Sequence, residues 1–98
     1  MLHIFILVLF ISQKKLEAYI ATENGVKMIA WLDNIGVDKN AIDEILLQFL
    51  KPEYQITTHL ELFALDDGDI DKILEPLPLG KKRFLKKAIM QEITGKLQ

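Results

Sequence analysis

The chain has 98 residues, 50% of them hydrophobic, a formal net charge of −2 and no cysteine. Length limits it to one domain with a modest core. The missing cysteines exclude disulfides, thiolate metal sites and cysteine nucleophiles, and the mild acidity argues against indiscriminate nucleic-acid binding by the whole surface, though not against a local basic patch.

Leu2 to Ile11 is apolar except for His3, but a membrane-spanning helix needs about 20 residues. A signal-peptide core has this length, yet no basic residue precedes the run and no small-x-small cleavage site follows Phe10, Ile11, Ser12 and Gln13. Four readings stand at this point: a buried helix or strand, an uncleaved anchor contacting membrane through residues 2–11, a weak signal peptide, and the edge of a truncated reading frame. Lys14 and Lys15 follow directly, so an anchored chain would hold its remainder in the cytoplasm. A cytoplasmic domain is the expectation without an anchor as well.

Residues 12–24 read as a helical extension, with Leu16, Tyr19 and Ile20 on one narrow stripe. Asn24-Gly25 breaks it, which divides the chain into residues 1–24 and a domain over 25–96. The next helix runs from about Val26 to Ile35 on Met28, Leu32 and Ile35, with Trp31 beside them. Gly36 suits the left-handed residue that closes it. Asp38 or Asn40 caps a second helix carrying Ile42, Ile45, Leu46, Phe49 and Leu50, which Pro52 ends. Thr57 or Thr58 caps a short third helix with Leu60, Leu62, Phe63 and Leu65. Asp66 caps a fourth from about Asp67 to Leu74, burying Ile70, Ile73 and Leu74. Pro76 and Pro78 stop it, and Leu77 and Leu79 are expected to tuck into the core from that turn. The last helix spans about Gly80 to Lys96 with a stripe of Phe84, Leu85, Ala88, Ile89 and Ile93. Outside the N-terminal run no two-residue alternation persists, so the predicted class is all-α.

Chemistry of a catalytic kind is hard to find. His3 and His59 are the two histidines, and neither has the ligand set a metal needs. No glycine-rich phosphate loop or nucleophile elbow occurs. Asp66-Asp67-Gly68-Asp69 lacks the spacing and terminal glutamate of a calcium loop. No enzyme, cofactor or metal is expected, and His59 reads as a surface or capping residue.

Charge is unevenly distributed. From Asp38 to Pro78 there are ten acids against three bases, and from Leu79 to Gln98 six bases against one acid. Acids in a first helical turn favour the helix dipole, which accounts for Asp66 and Asp67 but not for Asp69 and Asp71. Lys81, Lys82 and Arg83 stand in the first turn of the last helix, where the dipole disfavours each cation by about 0.3–1 kcal/mol. A pattern that local stability opposes often serves binding.

Trp31-Leu32-Asp33-Asn34-Ile35-Gly36, then Leu65-Asp66-Asp67-Gly68-Asp69-Ile70, then Leu79-Gly80-Lys81-Lys82-Arg83 running into Ile89, resemble in order and spacing the sterile alpha motif (SAM) domain. The match covers roughly Val26 to Ile93. The sequence departs from the family after the fourth helix, where two prolines replace Gly-Ile and Leu77 takes the apolar position. It also departs in a longer stretch between Phe49 and Leu60, and at Lys81 and Lys86. The resemblance implies a five-helix SAM-like bundle with a long C-terminal helix, preceded by the N-terminal extension. It further implies a protein-interaction module that pairs with itself or with another SAM-like domain. Lys81, Lys82, Arg83 and Lys86 would form a basic end-helix face, and Glu61, Asp66, Asp67, Asp69 and Asp71 an acidic mid-loop face. Such a contact joins two different patches and can propagate head to tail. Two alternatives stand beside it: an RNA-hairpin-binding SAM-like domain, which the scarcity of exposed aromatics near Lys81–Lys87 disfavours, and a membrane-associated adaptor.

Overall fold

A computed structural model describes residues 13–97, with side chains described over residues 13–95. The described residues form six α-helices and no strand, so the all-α class is correct. They are α1 (residues 13–20), α2 (Glu23–Asn34), α3 (Lys39–Phe49), α4 (His59–Phe63), α5 (Asp67–Leu74) and α6 (Leu79–Leu97). The apolar run Leu2–Ile11 lies outside the described residues. No helix among the described residues is long and apolar enough to cross a membrane.

The first break falls earlier than the sequence suggested. The chain turns at Ala21-Thr22, and Asn24 and Gly25 lie inside α2. Thr22 causes this: its hydroxyl donates to the Tyr19 carbonyl at 2.6 Å and accepts from the Gly25 N–H at 3.0 Å, so one side chain closes α1 and caps α2. Gly25 is required there for a steric reason. A Cβ at this position would overlap the Tyr19 carbonyl oxygen and stand 2.8 Å from Tyr19 C and 3.0 Å from Ile20 Cα, all backbone atoms. The bare glycine lets the start of α2 lie directly on the end of α1. Leu16 and Tyr19 thereby reach the same core as the rest of the chain.

α2 ends as predicted at Gly36, whose φ is +98°. Gly36 N–H donates to Asp33 O and Val37 N–H to Leu32 O, both at 3.0 Å, which satisfies the carbonyls a helix end leaves open. Asp38 caps α3 through the Asn40 N–H. The long connector after α3 is folded by Gln55, which takes a left-handed φ of 49°. That reversal allows Ile56 N–H to bond Phe49 O at 2.8 Å and buries the Ile56 side chain. Thr58 and Glu61 form a reciprocal capping box on α4. Asp66 caps α5 through the Asp69 N–H at 2.8 Å.

The core is one cluster. Met28 and Leu32 of α2, Ile45, Leu46 and Phe49 of α3, Leu62 of α4, Ile70 and Leu74 of α5 and Leu85 and Ile89 of α6 are all buried in it. Gln48 is the one buried polar side chain among the described residues. Its Nε2 donates to the Ile73 carbonyl at 2.7 Å, tying α3 to the end of α5, where helical carbonyls lack partners. Leu77 packs into the core, but Leu79 does not: it is 58% exposed. Leu77 already fills the space under the proline turn, and Leu79 opens α6 beyond it. Phe84 also departs from expectation at 46% exposed. Leu85 and Ile89, one turn apart, define the buried line of α6. Phe84 lies one residue off that line, and its ring leans instead toward the α2–α3 turn at Gly36.

Candidate functional site

The charges that the sequence grouped into two faces are distributed by the helix geometry into several environments. On α6, Lys81 turns toward α3 and its Nζ lies 3.3 Å from Glu44 Oε2. Lys86 turns the other way, onto α5. Its Nζ sits 2.7 Å from Asp71 Oδ1 and 3.3 Å from Asp67 Oδ1. The Asp71 hydrogen bond, with Asp67 beside it, raises the Lys86 pKa. Lys82, Arg83 and Lys87 make no ion pair among the described residues. Lys82 and Arg83 follow Leu79 by three and four positions, so all three share one side of the helix start.

The five acids do not form one face either. Glu61 Oε1 accepts from the backbone N–H groups and hydroxyls of Thr57 and Thr58 over 2.9–3.2 Å. The Thr57 hydroxyl bond leads the set that lowers the Glu61 pKa. Asp66 caps α5, and Asp67 and Asp71 hold Lys86. Asp69 stands apart. It follows Asp67 by two positions and precedes Asp71 by two, which on a helix is more than half a turn. It therefore faces the flank of α5 away from Lys86 and carries no ion pair among the described residues.

Two grooves flank these charges. One, of about 260 Å³, lies between α3 and the start of α6 and is lined by Val37, Ala41, Ile45, Phe84 and Leu85, with the bare backbone of Gly36 at one wall. The other, of about 170 Å³, lies between the α3–α4 connector and α5. Tyr54, Ile56, Leu65 and Ile73 floor it, and Glu53, Asp69 and Lys72 stand at its rim. Tyr54 Oη donates to the Lys72 carbonyl at 3.4 Å and braces the connector against α5.

His59 is neither a cap nor a free surface residue. Thr58 does the capping, while the His59 ring stacks on Trp31 with centroids 6.4 Å apart and meets Phe63 edge-on at 5.7 Å. Trp31 Nε1 and His59 Nδ1 are buried there without a hydrogen-bond partner among the described residues. The His59–Phe63 spacing of four on a short helix carried that contact in the sequence. No group of three or more His, Cys, Asp or Glu among the described residues could hold a metal ion.

Several residues of the surface were invisible from sequence. Glu53 and Tyr54 sit in an irregular connector without periodicity, and Glu44 is one of many exposed acids until α6 places Lys81 against it. Leu79 and Phe84 carried the apolar pattern of a core position, so only the packing reveals them as exposed.

No family model matches the sequence, and neither a curated protein nor a solved structure matches the chain.

Proposed function

We propose that this chain is a SAM-like protein–protein interaction module that docks through the start of α6 onto an acidic surface of a second copy or of another such domain. The observation that carries the reading is the combination at that helix start. Leu79 and Phe84 are exposed large apolar side chains, and Lys82, Arg83 and Lys87 around them make no ion pair among the described residues. Exposed apolar groups within a charged rim are how interaction sites differ from ordinary surface. The first-turn cations are also opposed by the helix dipole, so local stability does not account for them.

The test is sedimentation velocity on the full chain over a wide concentration range at low and high salt, beside the Lys82→Glu/Arg83→Glu double variant. The reading predicts larger species that grow with concentration, shrink with salt and vanish in the double variant. Assembly that survives the double variant unchanged contradicts it.

One observation favours a second reading, RNA-hairpin binding: Phe84 is exposed between Arg83 and Lys87, where a base could stack. Against it stand the single aromatic and the acids of α5 alongside, which repel phosphate. Filter binding with hairpin RNA that shows only weak, salt-erased, sequence-blind retention eliminates it.

A further inference from the structure

We propose that Asn24-Gly25 is a deamidation site gated by the junction of α1 with α2, and that its isoaspartyl product detaches α1 from the core. The inference is independent of the docking face on α6.

The reaction needs only water. The backbone nitrogen that follows an asparagine can attack that residue's own side-chain amide carbon, and glycine, with no side chain, hinders the attack least. Of the three asparagines, Asn24 alone precedes a glycine; Asn34 precedes Ile35 and Asn40 precedes Ala41. The Gly25 nitrogen gives its proton to water and bonds Asn24 Cγ. The bond from Cγ to Nδ2 breaks, and the amide leaves as ammonia, taking a proton back. Water then opens the cyclic imide in one of two ways. Breaking the new bond at Cγ leaves an ordinary aspartate at position 24. Breaking the bond to the backbone carbonyl instead routes the main chain through Cβ and Cγ, which gives isoaspartate and one extra methylene in the backbone. The balance is one water in and one ammonia out.

The fold holds back the first step. Gly25 N–H donates to Thr22 Oγ1 at 3.0 Å, and the same hydroxyl donates to the Tyr19 carbonyl at 2.6 Å. Gly25 is buried in the first turn of α2, and the helix fixes the Asn24 ψ that the attack must rotate. Asn24 itself is exposed. It lines an open recess of about 350 Å³ with Lys27, Thr58 and Leu60, so water and ammonia have free passage. The reaction therefore waits on the opening of the Thr22 cap. Because one hydroxyl closes α1 and caps α2, that opening is also the loosening of α1. Local openings of this kind set how fast protected amides react in a folded chain.

The junction also separates the two products. At Gly25 even a Cβ would overlap the Tyr19 carbonyl oxygen and stand 3.0 Å from Ile20 Cα. An added backbone methylene directly before Gly25 moves it out of register with Thr22, and the close approach cannot re-form. Leu16 and Tyr19 then lose their seat, including the 2.7 Å hydrogen bond from Tyr19 Oη to the Thr57 carbonyl. The ordinary aspartate leaves the backbone unchanged, and a first-turn carboxylate suits the helix dipole. One product refolds and the other leaves α1 undocked.

The experiment incubates the full chain in mildly alkaline buffer, native and in guanidinium chloride. Peptide mass spectrometry follows Asn24, Asn34 and Asn40, and isoaspartyl methyltransferase labelling separates the two products. In guanidinium chloride Asn24 reacts faster than Asn34 and Asn40. In the native chain it is slower than in guanidinium chloride by about tenfold or more, which corresponds to an opening of about 1.4 kcal/mol or more. Thr22→Ala raises the native rate about fivefold and leaves the rate in guanidinium chloride unchanged. Isoaspartyl material returned to native buffer exchanges its α1 amides as an unfolded segment does, while Asn24→Asp protects them as the wild type does. Asn24 that reacts no faster than Asn34 and Asn40 in guanidinium chloride overturns the site. Native deamidation as fast as in guanidinium chloride, or unmoved by Thr22→Ala, overturns the gating. Protected α1 amides in the isoaspartyl material overturn the detachment.

Discussion

Replacing Gly25 by alanine sets two physical effects against each other, and the structure fixes which wins. Helix propensity alone favours the change, since alanine inside a helix is better than glycine by about 1 kcal/mol. The new Cβ, however, would overlap the Tyr19 carbonyl and crowd Ile20 Cα at 3.0 Å, and backbone cannot swing aside as a flexible side chain does. Forcing it in costs roughly 1–3 kcal/mol if the fold absorbs the strain. Lifting α1 away instead exposes Leu16, now 1% exposed, at about 1.5–3 kcal/mol. It also breaks the 2.7 Å hydrogen bond from Tyr19 Oη to the Thr57 carbonyl, worth about 0.5–1.5 kcal/mol. Less the propensity gain of about 1 kcal/mol, the net expectation for lifting α1 is a loss of roughly 1–3.5 kcal/mol, a large part of the stability of a small domain. Urea titration followed by far-ultraviolet circular dichroism measures it. A Gly25→Ala variant as stable as the wild type, or more so, refutes the packing of α1 on α2 and with it the inclusion of residues 13–20 in the core.

Other consequences are open to measurement. Gln48→Leu leaves the Ile73 carbonyl buried without its donor and lowers stability by about 1–3 kcal/mol in the same titration. The pKa of Glu61 is lowered in the fold, so its contribution is fully present above the unfolded value of 4.5 and is lost as pH falls through the lower folded value. Replacing both Thr57 and Thr58 by alanine should flatten that acid limb in pH-dependent melts. Burial raises the Tyr19 hydroxyl from 10.0 to about 12, so the folded state keeps a proton the unfolded state releases. The stability it confers is complete below pH 10 and falls as pH rises from 10 toward 12. The Lys86 ion pairs dissolve in an overlapping window because that pKa is raised as well, and the difference between wild type and Tyr19→Phe isolates the tyrosine part. Lys86→Gln itself leaves the melting temperature nearly unchanged, since the pairs it breaks are exposed.

Most helices were legible because their ends carry chemistry. Asp38, Thr58 and Asp66 announce caps, Gly36 announces a left-handed closure, and Pro78 bars α5 from continuing into α6. The α1–α2 junction was misread because Asn24-Gly25 looks like a breaker by composition, while the determining feature is a close backbone approach that exists only once both helices are packed. Phe84 and Leu79 were misread for a related reason. A helical stripe two residues wide at i and i+4 does not say which neighbour of the line stays out, and the winner is set by what the facing elements supply. Leu77 had already filled the space below Leu79, and Gly36 offered Phe84 only a shallow wall. The charged surface was legible in sign but not in pairing. Ten acids and six bases in two blocks predict attraction, yet only the α5–α6 packing shows that Lys86 answers Asp67 and Asp71 within one chain, while Asp69, Lys82 and Arg83 make no ion pair among the described residues.

The account turns on whether the start of α6 is a docking face, and backbone amide NMR reads that directly. Spectra of the ¹⁵N-labelled full chain, recorded from dilute to concentrated solution, should show shift changes at Leu79 to Lys87 and at a second, acidic patch that receives it. Added salt should reverse both. Concentration-dependent shifts that appear elsewhere and spare Leu79 to Lys87 would contradict the claim.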